Sequence, residues 1–149
     1  MSSSLNWRDG TIDVTDVGGA LIALKAWLCN EITNGGDQTP AYLQDTFDYY
    51  LHGLGATSVP DADAFMGILQ RLGAWEIDTY HDGVLSIKLE GGDWTGLETG
   101  YLSAIAPFCA DGCYLELESD DYQPFRWTIY NGAVWITEPV VSWPEPWHM

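Results

Sequence analysis

Acidic side chains are the groups through which this sequence could bind or transform a ligand. Glu116, Glu118, Asp120 and Asp121 lie within six residues, and neither Lys nor Arg interrupts them. Residues two apart on a strand project from one face, about 6–7 Å from each other. Such a row roughly resembles a line of backbone phosphates, and the same cluster is an alternative ligand set for a hard cation. A solvated acidic turn is the simpler interpretation, and we predict no metal site.

The carboxylate pattern recurs at two further places. Glu76 and Asp78 are two residues apart on another predicted strand, where an ordinary polar sheet face is the alternative interpretation. Asp45 and Asp48 lie on the outward side of a predicted helix. Because the chain has only five basic residues, this recurrence favours a role for the carboxylates in binding a partner.

Aromatic residues beside the acidic run add contact area that charge alone does not supply. Tyr114 precedes Glu116 by two residues, and Trp135 is expected to flank the same sheet face. The predicted partner-binding residues are therefore Glu116, Glu118, Asp120, Asp121, Tyr114, Trp135, Glu76, Asp78, Asp45 and Asp48.

Motifs of catalysis and nucleotide binding are absent from the sequence. It contains no GxSxG, HExxH, GxxxxGK or GxGxxG pattern, and its three histidines lack the spacing of metal ligands. His81 beside Asp82 resembles a general base, although a histidine in a hairpin loop is more often simply exposed. We therefore predict that the protein is not an enzyme and has no catalytic residue and no cofactor.

The charge balance limits the kinds of partner. Twenty-two Asp and Glu face five Lys and Arg, which gives a net charge of -17. Nucleic-acid binding needs a basic surface, and an anionic membrane repels a chain of this charge. A basic protein surface would attract the chain and accelerate the encounter. The predicted partner is a basic protein, with no direct contact to nucleic acid or membrane.

Three cysteines, Cys29, Cys109 and Cys113, indicate a reducing compartment. Because their number is odd and no CxxC occurs, we expect reduced and mostly buried thiols, with a Cys109–Cys113 bond as the alternative. The first residues lack the basic and apolar parts of a signal peptide, and no apolar run approaches the ~20 residues of a membrane span. These features predict a cytoplasmic protein.

Turn dipeptides and hydrophobic periodicity predict the elements that position these residues. Asp9-Gly10 predicts a short N-terminal hairpin. Three amphipathic helices follow before residue 73, and we expect Thr15 or Asp16 to cap the first and Thr39 to cap the second.

A β-hairpin is expected after the helices, with strands at 75–80 and 84–90. A three-residue loop, His81-Asp82-Gly83, places Ile77 opposite Ile87, whereas a two-residue loop would place Ile77 opposite Lys88. The three-residue loop is the prediction because it puts the apolar residues on one face.

A helix and a three-stranded meander complete the predicted elements. Thr95 and Glu98 form a capping box before the helix, and the Asn131-Gly132 turn joins the last two strands. The predicted fold is α+β, with helices in the N-terminal half and an antiparallel sheet in the C-terminal half, built from a hairpin, a helix and the meander. A single domain over 1–149 is favoured, and a helical subdomain 1–73 with a β-rich subdomain 74–149 is the alternative.

A resemblance covers about a third of the chain. It rests on Ala106-Pro107-Phe108, 111–116, Phe125-Arg126-Trp127 and Asn131-Gly132, which are similar to the C-terminal meander of small uncharacterised phage and actinobacterial proteins. In size and charge the whole chain resembles phage-encoded inhibitors of host defence, including DNA mimics. This likeness implies a nucleic-acid-binding host defence protein as partner, such as a CRISPR effector or a restriction enzyme, in the host cytoplasm.

Two other functions fit the same sequence. One is an immunity or antitoxin-like protein that neutralises a basic toxin, which shares the electrostatics of an inhibitor of host defence. The other is a small enzyme of unrecognised type that uses His81, Asp82 and the acidic hairpin near a pocket. The sequence identifies neither the target nor the oligomeric state.

Overall fold

The computed structural model describes residues 4–52, 59–93, 95–119 and 124–138 of the chain. This part contains the α-helices α1 (Val17–Gly35), α2 (Ala41–Phe47), α3 (Asp61–Leu72) and α4 (Glu98–Ile105). Short helical turns occur at Gly36–Gln38, Asp48–His52 and Ala106–Phe108. The strands are β1 (Ser4–Val14), β2 (Trp75–His81), β3 (Val84–Leu89), β4 (Gly91–Asp93), β5 (Tyr114–Glu118), β6 (Phe125–Tyr130) and β7 (Ala133–Thr137). The predicted α+β class is confirmed.

Strand β1 lies at the centre of one antiparallel sheet. The strand order is β2-β3-β1-β5-β6-β7, and the short β4 also pairs with β1. Ile12 pairs with Ile87 on β3, and Gly10 pairs with Leu115 on β5. The predicted hairpin, helix and meander of the second half are confirmed, including the pairing across the Asn131-Gly132 turn.

The predicted N-terminal hairpin is wrong, because β1 continues through Asp9-Gly10 as one strand of 11 residues. Its register against β5 shifts between Trp7 and Asp9, which marks a β-bulge. Leu5 and Ile12 would face opposite sides of a regular strand, and the bulge lets both be buried. Gly10 has a φ of 80°, so the glycine that indicated a turn supplies a left-handed residue within the strand.

The hairpin of β2 and β3 has the predicted pairing but a different loop. Ile77 lies opposite Ile87, as predicted. His81 pairs with Val84, however, so the predicted three-residue loop is wrong and only Asp82-Gly83 forms the turn. Both turn residues have positive φ, at 51° and 79°, as a type I′ turn requires. A register shift between Ile77 and Thr79 absorbs the difference of one residue.

Helices α1, α3 and α4 cover one face of the sheet and enclose the core. Their buried residues include Leu24, Leu28, Phe65, Ile68, Tyr101 and Leu102. Trp75 of β2 reaches this layer, where its Nε1 donates a hydrogen bond of 2.9 Å to the Tyr101 hydroxyl. Within the described residues, no helix is long and apolar enough to cross a membrane.

The predicted helix caps are confirmed for α1 but not for α2. Asp16 accepts a hydrogen bond from the Gly19 amide at 3.0 Å, which satisfies a free donor at the start of α1. Pro40 occupies the N-cap position of α2, so the prediction for Thr39 is wrong. The Thr39 hydroxyl instead donates to the Ile32 carbonyl near the end of α1, because the chain turns back through Gly36–Gln38.

Candidate binding surface

The face of the sheet opposite the helices, here the outer sheet face, carries two rows of paired residues across β1, β5, β6 and β7. The first row consists of Asp9, Glu116, Arg126 and Thr137. The second row consists of Thr11, Tyr114, Thr128 and Trp135. The structure thus brings the predicted residues Glu116, Tyr114 and Trp135 to one surface, as expected from the alternation of side chains along a strand.

Glu116 lies between two arginines. Arg126 Nε is 2.8 Å from Glu116 Oε1, and Arg8 Nε is 3.4 Å from Glu116 Oε2. Arg8 also reaches Glu118, with Nη1 and Oε2 3.4 Å apart. Glu116 and Glu118 are therefore in ion pairs with side chains from β1 and β6. Sequence reasoning missed these arginines because they are neighbours across the sheet and not along the chain.

Tyr114 links the two rows of the outer sheet face. Its hydroxyl donates a 2.8 Å hydrogen bond to Asp9 Oδ2, and this bond to a carboxylate raises the pKa of Tyr114. The Arg126 guanidinium lies 4.4 Å from the centre of the Tyr114 ring, within range of a cation–π interaction. Trp135, in the same row, is 58% exposed. This part of the surface therefore combines paired charges with exposed aromatic area.

An open cavity of roughly 340 Å³ adjoins this network. It is lined by Glu116, Pro124, Phe125, Arg126, Thr137 and Glu138. Sequence reasoning identified only Glu116 of this set, since a cavity depends on how β6 and β7 lie beside β5. Asp120 and Asp121, which were predicted to belong to the same site, lie outside the described residues.

The second predicted pair, Glu76 and Asp78, surrounds Lys88 of β3. Glu76 is the cross-strand partner of Lys88, and Asp78 Oδ1 lies 3.8 Å from Lys88 Nζ. Glu90 is closer still, with Oε1 2.8 Å from the same nitrogen. This hydrogen bond raises the pKa of Lys88 and lowers that of Glu90. The Lys88 ammonium also lies 4.6 Å from the Trp7 ring. The ion pairs of Lys88 with Asp78 and Glu90 offset part of the negative charge of this group.

Carboxylates of the helical layer lack such partners. Asp45 and Asp48 are exposed, and Asp48 accepts a hydrogen bond only from Gln44, at 3.2 Å, among the described residues. Asp16 and Asp61 lie together at the starts of α1 and α3: a Cβ at Gly18 would be 3.8 Å and 3.4 Å from their oxygens. Within the described part of the chain, no Lys or Arg comes within 4.0 Å of any of these four.

His81 and Asp82 lie at the turn between β2 and β3, away from the cavity. His81 Nε2 and Asp82 Oδ2 are 3.2 Å apart, and both side chains are more than four-fifths exposed. Strands β3 and β1 separate this turn from Glu116 on β5. The structure therefore does not bring His81 together with the acidic residues of the meander.

The cysteines differ in exposure, which corrects the expectation that they are mostly buried. Cys109 is buried, Cys113 is half-buried and Cys29 is exposed, and all three are free thiols, so the alternative Cys109–Cys113 bond is not formed. Burial raises the pKa of Cys109 to about 12. Among the described residues, no three His, Cys, Asp or Glu side chains are arranged as metal ligands.

Comparison with known proteins gives no significant match to a family model, a curated protein or a solved structure.

Proposed function

We propose that this chain is a non-catalytic inhibitor that presents carboxylates to a basic, nucleic-acid-binding surface of another protein. The observation that carries the proposal is the distribution of the five basic residues. Arg8, Lys88 and Arg126 are in ion pairs around the outer sheet face. Lys25 and Arg71 lie on α1 and α3, but within the described part of the chain neither comes within 4.0 Å of a carboxylate. The exposed carboxylates of the helical layer, those of Asp16, Asp45, Asp48 and Asp61, are therefore not in ion pairs with described residues.

Exposed carboxylates on the helical layer support this proposal. Asp61 and Asp63 lie in the first turn of α3, and Asp16 caps α1 beside Asp61. The positive ends of the helix dipoles stabilise these carboxylates but offset only part of their negative charge. Asp45 and Asp48 on and after α2 add two more exposed acids. A basic groove that normally accepts phosphates would attract such a surface, as in a DNA mimic that blocks a CRISPR effector or a restriction enzyme.

Plaquing of a phage on a bacterium with an active restriction or CRISPR system tests the proposal. Expression of the chain should raise plaquing efficiency, and the purified protein should bind the defence protein more weakly as salt increases. The variant D45N/D48N/D61N/D63N should lose most of the gain in plaquing efficiency. It should associate with the defence protein about tenfold more slowly, because it loses electrostatic attraction.

The control is E116Q/E118Q, which removes two carboxylates that are in ion pairs with Arg8 and Arg126. It should keep most of the gain in plaquing efficiency if the helical layer is the contact surface. Circular dichroism must show both variants folded. If the wild type raises plaquing efficiency on no defended strain and retains no nucleic-acid-binding protein at low salt, the proposal is wrong; loss confined to the control would move the contact to the outer sheet face.

A further inference from the structure

The two edges of the sheet differ in how they discourage pairing with another chain. The edge strand β2 carries Glu76 and Asp78 and has an irregular register near Asp78. Charges and bulges of this kind are the usual protection of an exposed edge. The opposite edge strand, β7, has the sequence AVWIT, with neither charge nor proline. It is the only described strand without a charged residue, so this edge is open to pairing.

Backbone groups of β7 point towards this open edge. The Ile129 amide and carbonyl bond to Cys113 and Gly112 on the β5 side, so they do not face β7. Because narrow and wide pairs alternate in an antiparallel ladder, Val134, which lies opposite Ile129, directs its N–H and C=O away from β6. Ile136 does the same, two residues along. No strand of the described residues occupies that side.

Both faces of this edge are apolar. Trp135 is 58% exposed on the outer sheet face, and Ile136 is 54% exposed on the face that the helices cover elsewhere. Backbone N–H and C=O groups that point outward from an edge strand, with exposed apolar residues above and below them, form the kind of surface that accepts a further strand.

We propose that β7 pairs with β7 of a second copy, antiparallel and about a two-fold axis at Trp135. Trp135 then lies opposite its own counterpart, and Val134 lies opposite Ile136 of the second copy. The Val134–Ile136 pair and its symmetry-related copy exchange backbone hydrogen bonds in both directions and join the two sheets into one. Glu138 falls opposite Gly132 of the second copy, so no carboxylates face each other in this register.

Charge indicates why the occupant is a second copy. Two chains with a net charge of -17 repel each other over most of their surfaces. They can approach only where charge is missing, and β7 is such a place. A basic partner would gain no electrostatic attraction from an uncharged strand. The dimer is therefore independent of the proposed function, and salt should affect the two in opposite directions: screening strengthens the dimer and weakens binding to a basic partner.

Sedimentation equilibrium of the full chain over a range of concentrations tests the dimer. We expect a monomer–dimer equilibrium that tightens as salt rises. Ile136→Lys should raise the dissociation constant at least about tenfold, since a lysine on an edge strand opposes pairing. The matched control, Ile77→Lys, changes an isoleucine that is 46% exposed on β2, the opposite edge strand, and it should leave the dimer unchanged.

Amide hydrogen exchange locates the interface. In the dimer, the amides of Val134 and Ile136 should exchange slowly, and dilution should accelerate them. A wild type that is monomeric at every concentration overturns the proposal, and slow exchange of these amides in that monomer would mean that the chain covers its own edge. A dimer that Ile136→Lys leaves intact overturns it equally.

Discussion

Glu98 shows how a single carboxylate can be held inside this protein. It is only 2% exposed, and its Oε1 accepts hydrogen bonds from the Thr95 amide at 2.8 Å and the Thr95 hydroxyl at 2.7 Å. Among the described residues, its Oε2 has no hydrogen-bond partner. The negative charge lies in the first turn of α4, where the helix dipole stabilises it. The spacing of Thr95 and Glu98 was sufficient to predict this reach-back contact.

Replacing Glu98 should therefore loosen the start of α4. We expect Glu98→Ala to lower the free energy of unfolding by about 1–2 kcal/mol, the usual value of a capping interaction. Glu98→Gln should cost less, because the amide oxygen can still accept from Thr95. Urea denaturation measures both, with Glu31→Ala on α1 as the control. Equal losses for Glu98→Ala and Glu31→Ala would show that the buried carboxylate does not support the helix.

The acidic run at Glu116 shows what residue types alone could not predict. The spacing correctly indicated that Glu116 shares a face with Tyr114, because both belong to one strand. Its neutralisation depends on Arg8, more than a hundred residues earlier, and on Arg126 of the next strand. Only the strand order places those arginines beside Glu116, and strand order depends on contacts between distant segments.

At the scale of elements, the bulge of β1 determines how the sheet is assembled. A Cβ at Gly10 would meet the Tyr114 carbonyl oxygen and would lie 2.9 Å from its ring. Gly83, in the turn between β2 and β3, has a similar φ of 79°, yet nothing lies within 4 Å of the corresponding position. Both positions would strain a residue with a side chain through their positive φ, but only at Gly10 would a side chain also clash with its neighbours.

Gly10→Ala should destabilise the protein much more than Gly83→Ala. The second change introduces only the left-handed backbone cost, about 1–2 kcal/mol. The first adds a clash with the backbone of β5, which we expect to bring the loss to about 3 kcal/mol or more. Chemical denaturation of both variants gives the comparison. Similar losses would mean that β5 moves away easily and that the bulge is not tightly packed.

Most elements could be predicted from local sequence, but their arrangement could not. The helices and the meander have apolar residues at regular intervals and clear turn residues, so their positions were predicted closely. Asp9-Gly10 misled, because a glycine with positive φ suits a bulge as well as a turn. The pairing of β1 with β3 and β5 leaves no local signal, since the paired residues are about 70 to 110 positions apart along the chain.

At the scale of the whole molecule, the net charge of -17 opposes the compact state. Among the described residues, Asp16, Asp45, Asp48 and Asp61 of the helical layer are in no ion pair, whereas carboxylates around Lys88 and Arg126 are paired. Bringing so many like charges into one small volume costs free energy that the extended chain avoids. Stability should therefore depend on how far these charges are screened.

Raising salt should raise the thermal midpoint of unfolding. From about 0.01 M to about 0.15 M the screening length falls from about 30 Å to about 8 Å, which weakens repulsion across the whole protein. The variant D45N/D48N/D61N/D63N removes four of the 17 net negative charges and should show a smaller rise. Scanning calorimetry at fixed protein concentration measures both midpoints. A midpoint that falls with salt in the wild type would show that its ion pairs outweigh its repulsion.

Strand β1 is the first strand of the chain but lies at the centre of the sheet, so it is synthesised well before the strands with which it pairs. It leaves the ribosome before every strand with which it pairs, and β5 begins at Tyr114, 100 residues after the end of β1 at Val14. At a translation rate of about 5–20 residues per second, the middle strand waits roughly 5–20 s for that neighbour. Until β3 follows at Val84, Ile12 and Val14 have no partner strand, so a ribosome-bound chain is exposed to chaperones and proteases through the strand that lies at the centre of the finished sheet.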